Sequence, residues 1–319
     1  MAAFMLRDRA QLQLLAIMVE MGLRYRSAHL LSTSSTPSTM AMTTSLILLT
    51  LFVGLPLLAI LYRITLITNP TRNKPIRHGR RNPNEPTHLL ICLGSGGHTA
   101  EMLAMLTRAV ETPLNRSDAK QNQKLEWRDF THRTWVVGKN DAISAARAKE
   151  FEDLAPGLGT QEDLMAGKVK KATDSGPGTW DLVEVPRARE IHQPLLTSPL
   201  SCLQCARACW DVLLRYTTET REGHAGLARQ RDFPDLILCN GPATATVLVL
   251  TSMVLRFFDV RGCSTRGKMR TVYVESWARV KKPSLSGQLL KHVVDRFLVQ
   301  WPQLERAAGA RAEYPGVLV

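Results

Sequence analysis

A chain of 319 residues with 41 Lys and Arg against 28 Asp and Glu carries a formal net charge of +13, which points to an anionic partner: nucleic acid, an anionic membrane surface or a phosphorylated substrate. Once non-globular stretches are set aside, the length leaves room for one α/β domain of roughly 200 residues, which excludes a complete two-domain enzyme. Where the charge lies decides among the partners.

Residues 1–42 read as an N-terminal extension. Helical apolar spacing at Leu12, Leu14, Leu15, Met18 and Val19 precedes a Ser/Thr run over 32–39 of the kind seen in transit peptides. A cytosolic arm, or an over-extended gene start with the true one at Met40 or Met42, fits the next segment better. No Asp, Glu, Lys or Arg occurs between residues 27 and 62, and SLILLTLFVGLPLLAILY is long and apolar enough to cross a bilayer. This predicts one transmembrane helix over 43–66. Gly54 and Pro56 are tolerated there, and Tyr62 suits an interface. Arg63, Arg72, Lys74, Arg77, Arg80 and Arg81 come directly after the apolar stretch with no acidic residue between it and Glu85, and a basic Pro-rich linker is read over 67–87. Under the positive-inside rule the rest of the chain is cytosolic. The linker lies along anionic headgroups, so much of the excess charge is explained without nucleic acid.

From residue 88 short apolar strands alternate with helical segments: strands are expected over 88–93, 134–137, 182–185, 236–239, 271–274 and 296–299. The pattern predicts an α/β fold, a single Rossmann-like domain over 88–319 with a mostly parallel sheet. The Gly/Lys/Asp-rich stretch 156–178 reads as a solvated insertion. Cys202, Cys205 and Cys209 fall on one face of an expected helix, so the CxxC reads as buried thiols, and no metal site is expected.

Ligands of open parallel sheets gather beyond the carboxyl ends of the strands. After the first strand comes Gly94-Ser95-Gly96-Gly97-His98-Thr99, after the fourth Asn240-Gly241-Pro242-Ala243, after the fifth Glu275-Ser276-Trp277-Ala278-Arg279. The first loop has the chemistry of an anion cradle, with glycines for close backbone approach and free N–H groups at a helix start. It is neither a dinucleotide fingerprint, since Thr99 replaces the third glycine, nor a Walker loop, since no Gly-Lys-Ser/Thr follows. His98 is a candidate general base, because the positive end of a helix favours neutral imidazole. Glu275 is the competing base, and Arg279 a candidate phosphate contact. Glu101 reads as a dipole or capping partner.

Together, LLICLGSGGHTAEML, VPRAREIHQPLLTS, LILCNGPATA, VYVESWARVKKPSLSG and FLVQWPQLERAAGARAEYPGVLV resemble the asparagine-linked glycosylation protein 14 family over nearly everything from residue 88 onward. One departure is Ala243, where the family usually has glycine; were positive φ required there, alanine would cost roughly 1 kcal/mol. The resemblance implies the N-terminal half of a GT-B glycosyltransferase, a membrane subunit of the enzyme that makes the second step of dolichol-linked oligosaccharide synthesis. It implies that the acceptor, GlcNAc-pyrophosphoryl-dolichol, binds on this half, with Gly94, Ser95, Gly96, Gly97, Thr99, Asn240, Gly241 and Arg279 at its pyrophosphate. UDP-N-acetylglucosamine is then bound by a soluble catalytic partner of the asparagine-linked glycosylation protein 13 family. The tail, Tyr314, Pro315, Gly316, Val317, Leu318 and Val319, recruits that partner, and its apolar character agrees. The implied place is the endoplasmic reticulum membrane, continuous with the outer nuclear membrane, single-pass with a cytosolic domain.

The expected chemistry is an inverting transfer without metal or other cofactor, since no Asp-x-Asp occurs in the chain. Two rivals belong to other classes. A purely structural membrane anchor has no use for a phosphate-binding loop, and a membrane oxidoreductase lacks the fingerprint and a Tyr-x-x-x-Lys pair.

Overall fold

The computed structural model describes residues 37–69, 87–111, 130–154, 179–190, 193–194, 196–218, 232–241 and 243–319. The expected extension as far as residue 36, the basic linker over 70–86 and the insertion 156–178 lie outside the described residues. The chain divides into two units, with the break after Leu61.

The first unit is described from Pro37, within helix α1 (Pro37–Thr68), which is longer at both ends than the expected 43–66. Within it Thr44–Thr68 is long and apolar enough, with a mean hydropathy of 2.4, to cross a membrane. Its apolar side chains from Leu46 to Leu61 are largely exposed, as in Phe52 at 79%. A face so apolar all round suits lipid rather than water.

The second unit is an α/β domain. Chain order gives β1 (His88–Cys92), α2 (Gly97–Glu111), β2 (His132–Gly138), α3 (Ala142–Leu154), β3 (Thr179–Val185), α4 (Ser198–Thr218), β4 (Leu236–Asn240), α5 (Thr244–Phe257), β5 (Arg270–Val274), α6 (Leu285–Leu290), β6 (Arg296–Leu298), α7 (Pro302–Ala308) and β7 (Ala312–Glu313). All seven strands are parallel, in the order β3-β2-β1-β4-β5-β6-β7. The six expected strands are present. The seventh, two residues long, was not anticipated: the segment just before the tail closes the sheet edge.

Strand periodicity sorts the core to the two faces. Leu89, Ile91 and Leu93 pack with Trp135, Val137, Met102, Leu106 and Phe151 on one face, while Leu90 and Cys92 join Ile237, Cys239, Leu213, Leu248 and Phe297 on the other. All five residues of β1 are buried, as a strand covered by helices on both faces requires. Cys205 and Cys209 lie in this core, with sulfurs 3.9 Å apart on α4, and Cys202 is half-buried beside them.

Buried charge is paired. Arg133 grips Glu152 through two nitrogens at 2.8 to 3.1 Å, and Trp135 Nε1 donates to the same carboxylate at 2.7 Å. Arg256 makes a two-pronged pair with Asp295, at 2.7 and 3.0 Å, and donates to the Ile67 carbonyl. Asp295 also accepts from the Thr271 amide and hydroxyl, so one ion pair joins α5, β5 and the turn before β6. Arg63, expected to face lipid headgroups, instead donates to the carbonyls of Phe257 and Arg256, two of the carbonyls that helix geometry leaves open at the end of α5.

At the amino ends of β1 and β2, His88 and His132 are register partners with ring centroids 4.9 Å apart. Burial, followed by the neighbouring His132, lowers the His88 pKa to about 4. The unfolded imidazole titrates near 6.5, so its contribution is fully present above that value. It is lost as pH falls from about 6.5 towards 4, where the unfolded chain binds the extra proton. The loss amounts to roughly 3 kcal/mol. Thermal unfolding of the detergent-solubilised chain across this range should show a stability decline that is shallower in His88→Asn. An identical pH profile for both proteins would show that His88 does not cause it.

Candidate functional site

The sheet reverses its winding between β1 and β4, and the loops leaving these two strands border the crevice where α/β sheets bind ligands. They touch through glycine. A Cβ on Gly94 would stand 2.6 Å from the His98 Cβ and 3.3 Å from the Asn240 carbonyl oxygen. On Gly241, whose φ is +90°, it would stand 3.1 Å from the Gly94 Cα. Side chains at either position would push the loops apart.

The β1 loop climbs from Gly94 through exposed Ser95, Gly96 and Gly97 into α2. Gly96 has φ 62°, a turn that L residues resist. The first helical bond runs from the Ala100 amide to the Gly96 carbonyl, so helix geometry provides no acceptor within α2 for the amides of Gly97, His98 and Thr99. Thr99 was expected at the pyrophosphate. Its side chain is buried at 1% exposure, bonded to the Gly94 carbonyl and, at 2.7 Å, to Ser144 Oγ, so it braces the loop from beneath and offers a ligand no hydroxyl.

His98, the second residue of α2, has 30% of its side chain exposed, while its Nδ1 is buried with no hydrogen-bond partner. Glu101, one helical turn on, places Oε2 3.7 Å from that nitrogen. The same oxygen accepts from Asn240 Nδ2 at 3.3 Å, and Oε1 accepts from Ser276 Oγ at 2.8 Å. Partial burial opposes ionisation of Glu101, but the nearby His98 imidazole and donors from Ser276 and the Trp277 amide overcome it and hold the carboxyl below its ordinary range. Helix α2 and the ends of β4 and β5 therefore meet on this carboxylate. From its place in the first turn Glu101 reads as a dipole or capping partner, but its i, i+3 spacing from His98 puts both on one helix face. Nothing in the sequence marked Ser276.

Asn240 is buried at 1%. With its amide nitrogen committed to Glu101, its remaining polar atom is Oδ1, a buried acceptor. As an acceptor Oδ1 cannot bond a phosphate oxygen, which leaves only the second N–H of the amide for the expected pyrophosphate contact. Glu275 is likewise buried at 1%. It accepts from the Ser276 amide at 3.1 Å and from the Ser284 amide and hydroxyl at 3.0 Å, fastening the β5 loop to the start of α6. Arg279 lies exposed on the β5 loop, and Trp277 beside it is held by a bond from Trp301 Nε1 to its carbonyl. Ala243, at the start of α5, has φ 7°, outside the left-handed region on which the expected glycine penalty was conditioned.

The tail is partly returned to its own domain. Tyr314 packs against one core face and Leu318 against the other, and Arg108 on α2 donates to the Val317 carbonyl at 3.0 Å. Val317 and Val319 point outward, exposed at 41% and 39%.

Comparison with known proteins relates the chain to a family. A family model described as "Oligosaccharide biosynthesis protein Alg14 like" matches residues 89–318. A protein of Aspergillus fumigatus named UDP-N-acetylglucosamine transferase subunit alg14 is 38% identical over 62% of this chain and 97% of its own length. Its namesake in Schizosaccharomyces pombe is 32% identical over 76% of this chain and 88% of its own. The mouse protein of that name is 30% identical over 70% and 79%. No solved structure matches.

The glycine contacts make a discriminating pair of variants. Gly94→Ala should displace His98 and cost about 1–3 kcal/mol, as overpacking does. Gly97→Ala, with nothing within 4 Å of the added carbon, should stay within about 0.5 kcal/mol of the parent. Equal melting temperatures for the two would contradict the packing described.

Proposed function

The chain belongs to the Alg14 family of oligosaccharide biosynthesis proteins, and from that premise we propose that it is the membrane-anchoring, acceptor-side subunit of a UDP-N-acetylglucosamine transferase. It adds the second GlcNAc to GlcNAc-pyrophosphoryl-dolichol at the cytosolic face of the endoplasmic reticulum. Its relatives' names support a transferase subunit. The observation that carries the site is the exposed Gly-rich turn opening α2, with His98 at its head beside the sheet's switch point. A single Rossmann-like domain corresponds to one half of a GT-B enzyme, so the donor-binding half is supplied by a soluble partner of the asparagine-linked glycosylation protein 13 family.

In this reading the amides of residues 97–99 hold the acceptor pyrophosphate at the positive end of α2, with Arg279 on the rim. The acceptor 4-hydroxyl attacks the anomeric carbon of UDP-GlcNAc. The new glycosidic bond forms as the bond to UDP breaks, UDP leaves with the electron pair, and His98 Nε2 takes the hydroxyl proton. The stereochemistry inverts, and no metal ion is invoked. His98 is favoured over Glu275 because both oxygens of Glu275 are bonded inside its own loop. The apolar helix keeps the site near its lipid substrate, which raises the effective concentration of encounter.

His98→Ala is expected to lower turnover of the purified pair by about 10²–10⁴ while the partner stays bound. Turnover unchanged in a stable complex removes His98 from the mechanism. The docking of Leu318 makes whole-tail truncation a poor test of recruitment, because it strips a core contact. Val317→Asp with Val319→Asp changes only outward positions, and should release the partner from membranes without lowering the melting temperature. Full co-sedimentation of the partner with this variant would refute the tail interface.

A further inference from the structure

We infer that Glu101 is a positioning residue that fixes the ring orientation and tautomer of His98, holding the proton on Nδ1 so that the Nε2 edge is the one presented to the cleft. The inference deepens the proposed reading of His98, on which its consequence for turnover rests.

Three observations carry it. His98 Nδ1 is buried without a hydrogen-bond partner, a state that a polar atom keeps only at a cost. Its neighbouring carboxylate oxygen is Glu101 Oε2, 3.7 Å away, and hydrogen bonds of a site without substrate are commonly long and tighten when the substrate enters. Glu101 itself is restrained, with Oε1 bonded to Ser276 and Oε2 to Asn240. A carboxylate can only accept, so it selects the tautomer with hydrogen on Nδ1. Because Nδ1 is inaccessible while 30% of the His98 side chain is open, the exposed edge is the opposite one. Asn240 adds direction: its amide donates to Glu101 and so cannot turn its oxygen towards the carboxylate without repulsion. A cap alone would need neither the Ser276 nor the Asn240 contact.

Glu101→Gln keeps the size but gives the side chain an N–H donor, which can bond Nδ1 as an acceptor and move the ring proton to Nε2. The test is nitrogen NMR of the full-length chain, labelled with ¹⁵N-histidine in detergent micelles, with the His98 signals assigned by their loss in His98→Asn. The parent should show the Nδ1–H tautomer and Glu101→Gln the Nε2–H form, with kcat of the assembled enzyme reduced by about 10²–10⁴ and KM for UDP-GlcNAc within about threefold. Glu101→Asp keeps the charge and should retain the Nδ1–H form with kcat within about tenfold of the parent. Glu101→Gln retaining the Nδ1–H form, or Asp and Gln variants equally impaired, overturns the inference. Failure of the underlying reading looks different: His98→Ala would leave turnover intact while Glu101→Gln still inverted the tautomer.

Discussion

The approach of two backbones at the point where the sheet reverses is the constraint from which the site follows. Gly94 and Gly241 let the loops leaving β1 and β4 touch, and a single methyl group on either would collide with His98, Asn240 or the opposite loop. With the loops in contact, α2 starts directly over the crevice and its second residue, His98, is placed there by the backbone. The same closeness brings Asn240 to Glu101, and the β5 loop reaches that carboxylate through Ser276. Three successive strand ends thus share one acceptor group, and the glycines control whether they can.

Buried charges do a second job, joining elements far apart in sequence. Arg256 with Asp295 and Arg133 with Glu152 are nearly inaccessible. Removing one partner of such a pair typically costs about 3–5 kcal/mol, because the remaining charge is stranded. The Arg296 to Glu313 pair between β6 and β7 is about half exposed, and pairs of that kind contribute about 0–1 kcal/mol. The cohesion of β7 therefore comes from Ala312 and its neighbours in the core rather than from its ion pair. The net charge that dominates the composition says little about either kind of pair, since the basic residues serving the core are indistinguishable in a count from those at the surface.

The fold was largely legible because β1, β2, β4 and β5 each hold a short apolar run and the turn after β1 is rich in glycine. The strand that escaped, Ala312–Glu313, is too short for periodicity to register, and its pairing with β6 is a tertiary property. The site was legible as a set of loops, not as a set of contacts. The Gly-rich turn and His98 announce themselves by residue type, whereas the hydroxyl of Thr99 turning inward depends on Ser144, 45 residues away. Glu275 and Asn240 illustrate the same gap: each sits at the carboxyl end of a strand as the sequence suggests, but their bonding partners determine what chemistry remains to them.

Placing β4 beside β1 has a further consequence, for the history of each molecule rather than its finished form. The His88 amide bonds Asp235, which lies 147 residues later in the chain. At roughly 5–20 residues per second, ribosomal synthesis separates the two by about 7–30 s. Strands β1, β2 and β3 can pair among themselves during that interval, but the β4-facing edge of β1, apolar at Leu89, Leu90 and Ile91, stays open to mispairing. Shielding of that edge while β4 is still unmade therefore bears on folding separately from the stability of the finished domain.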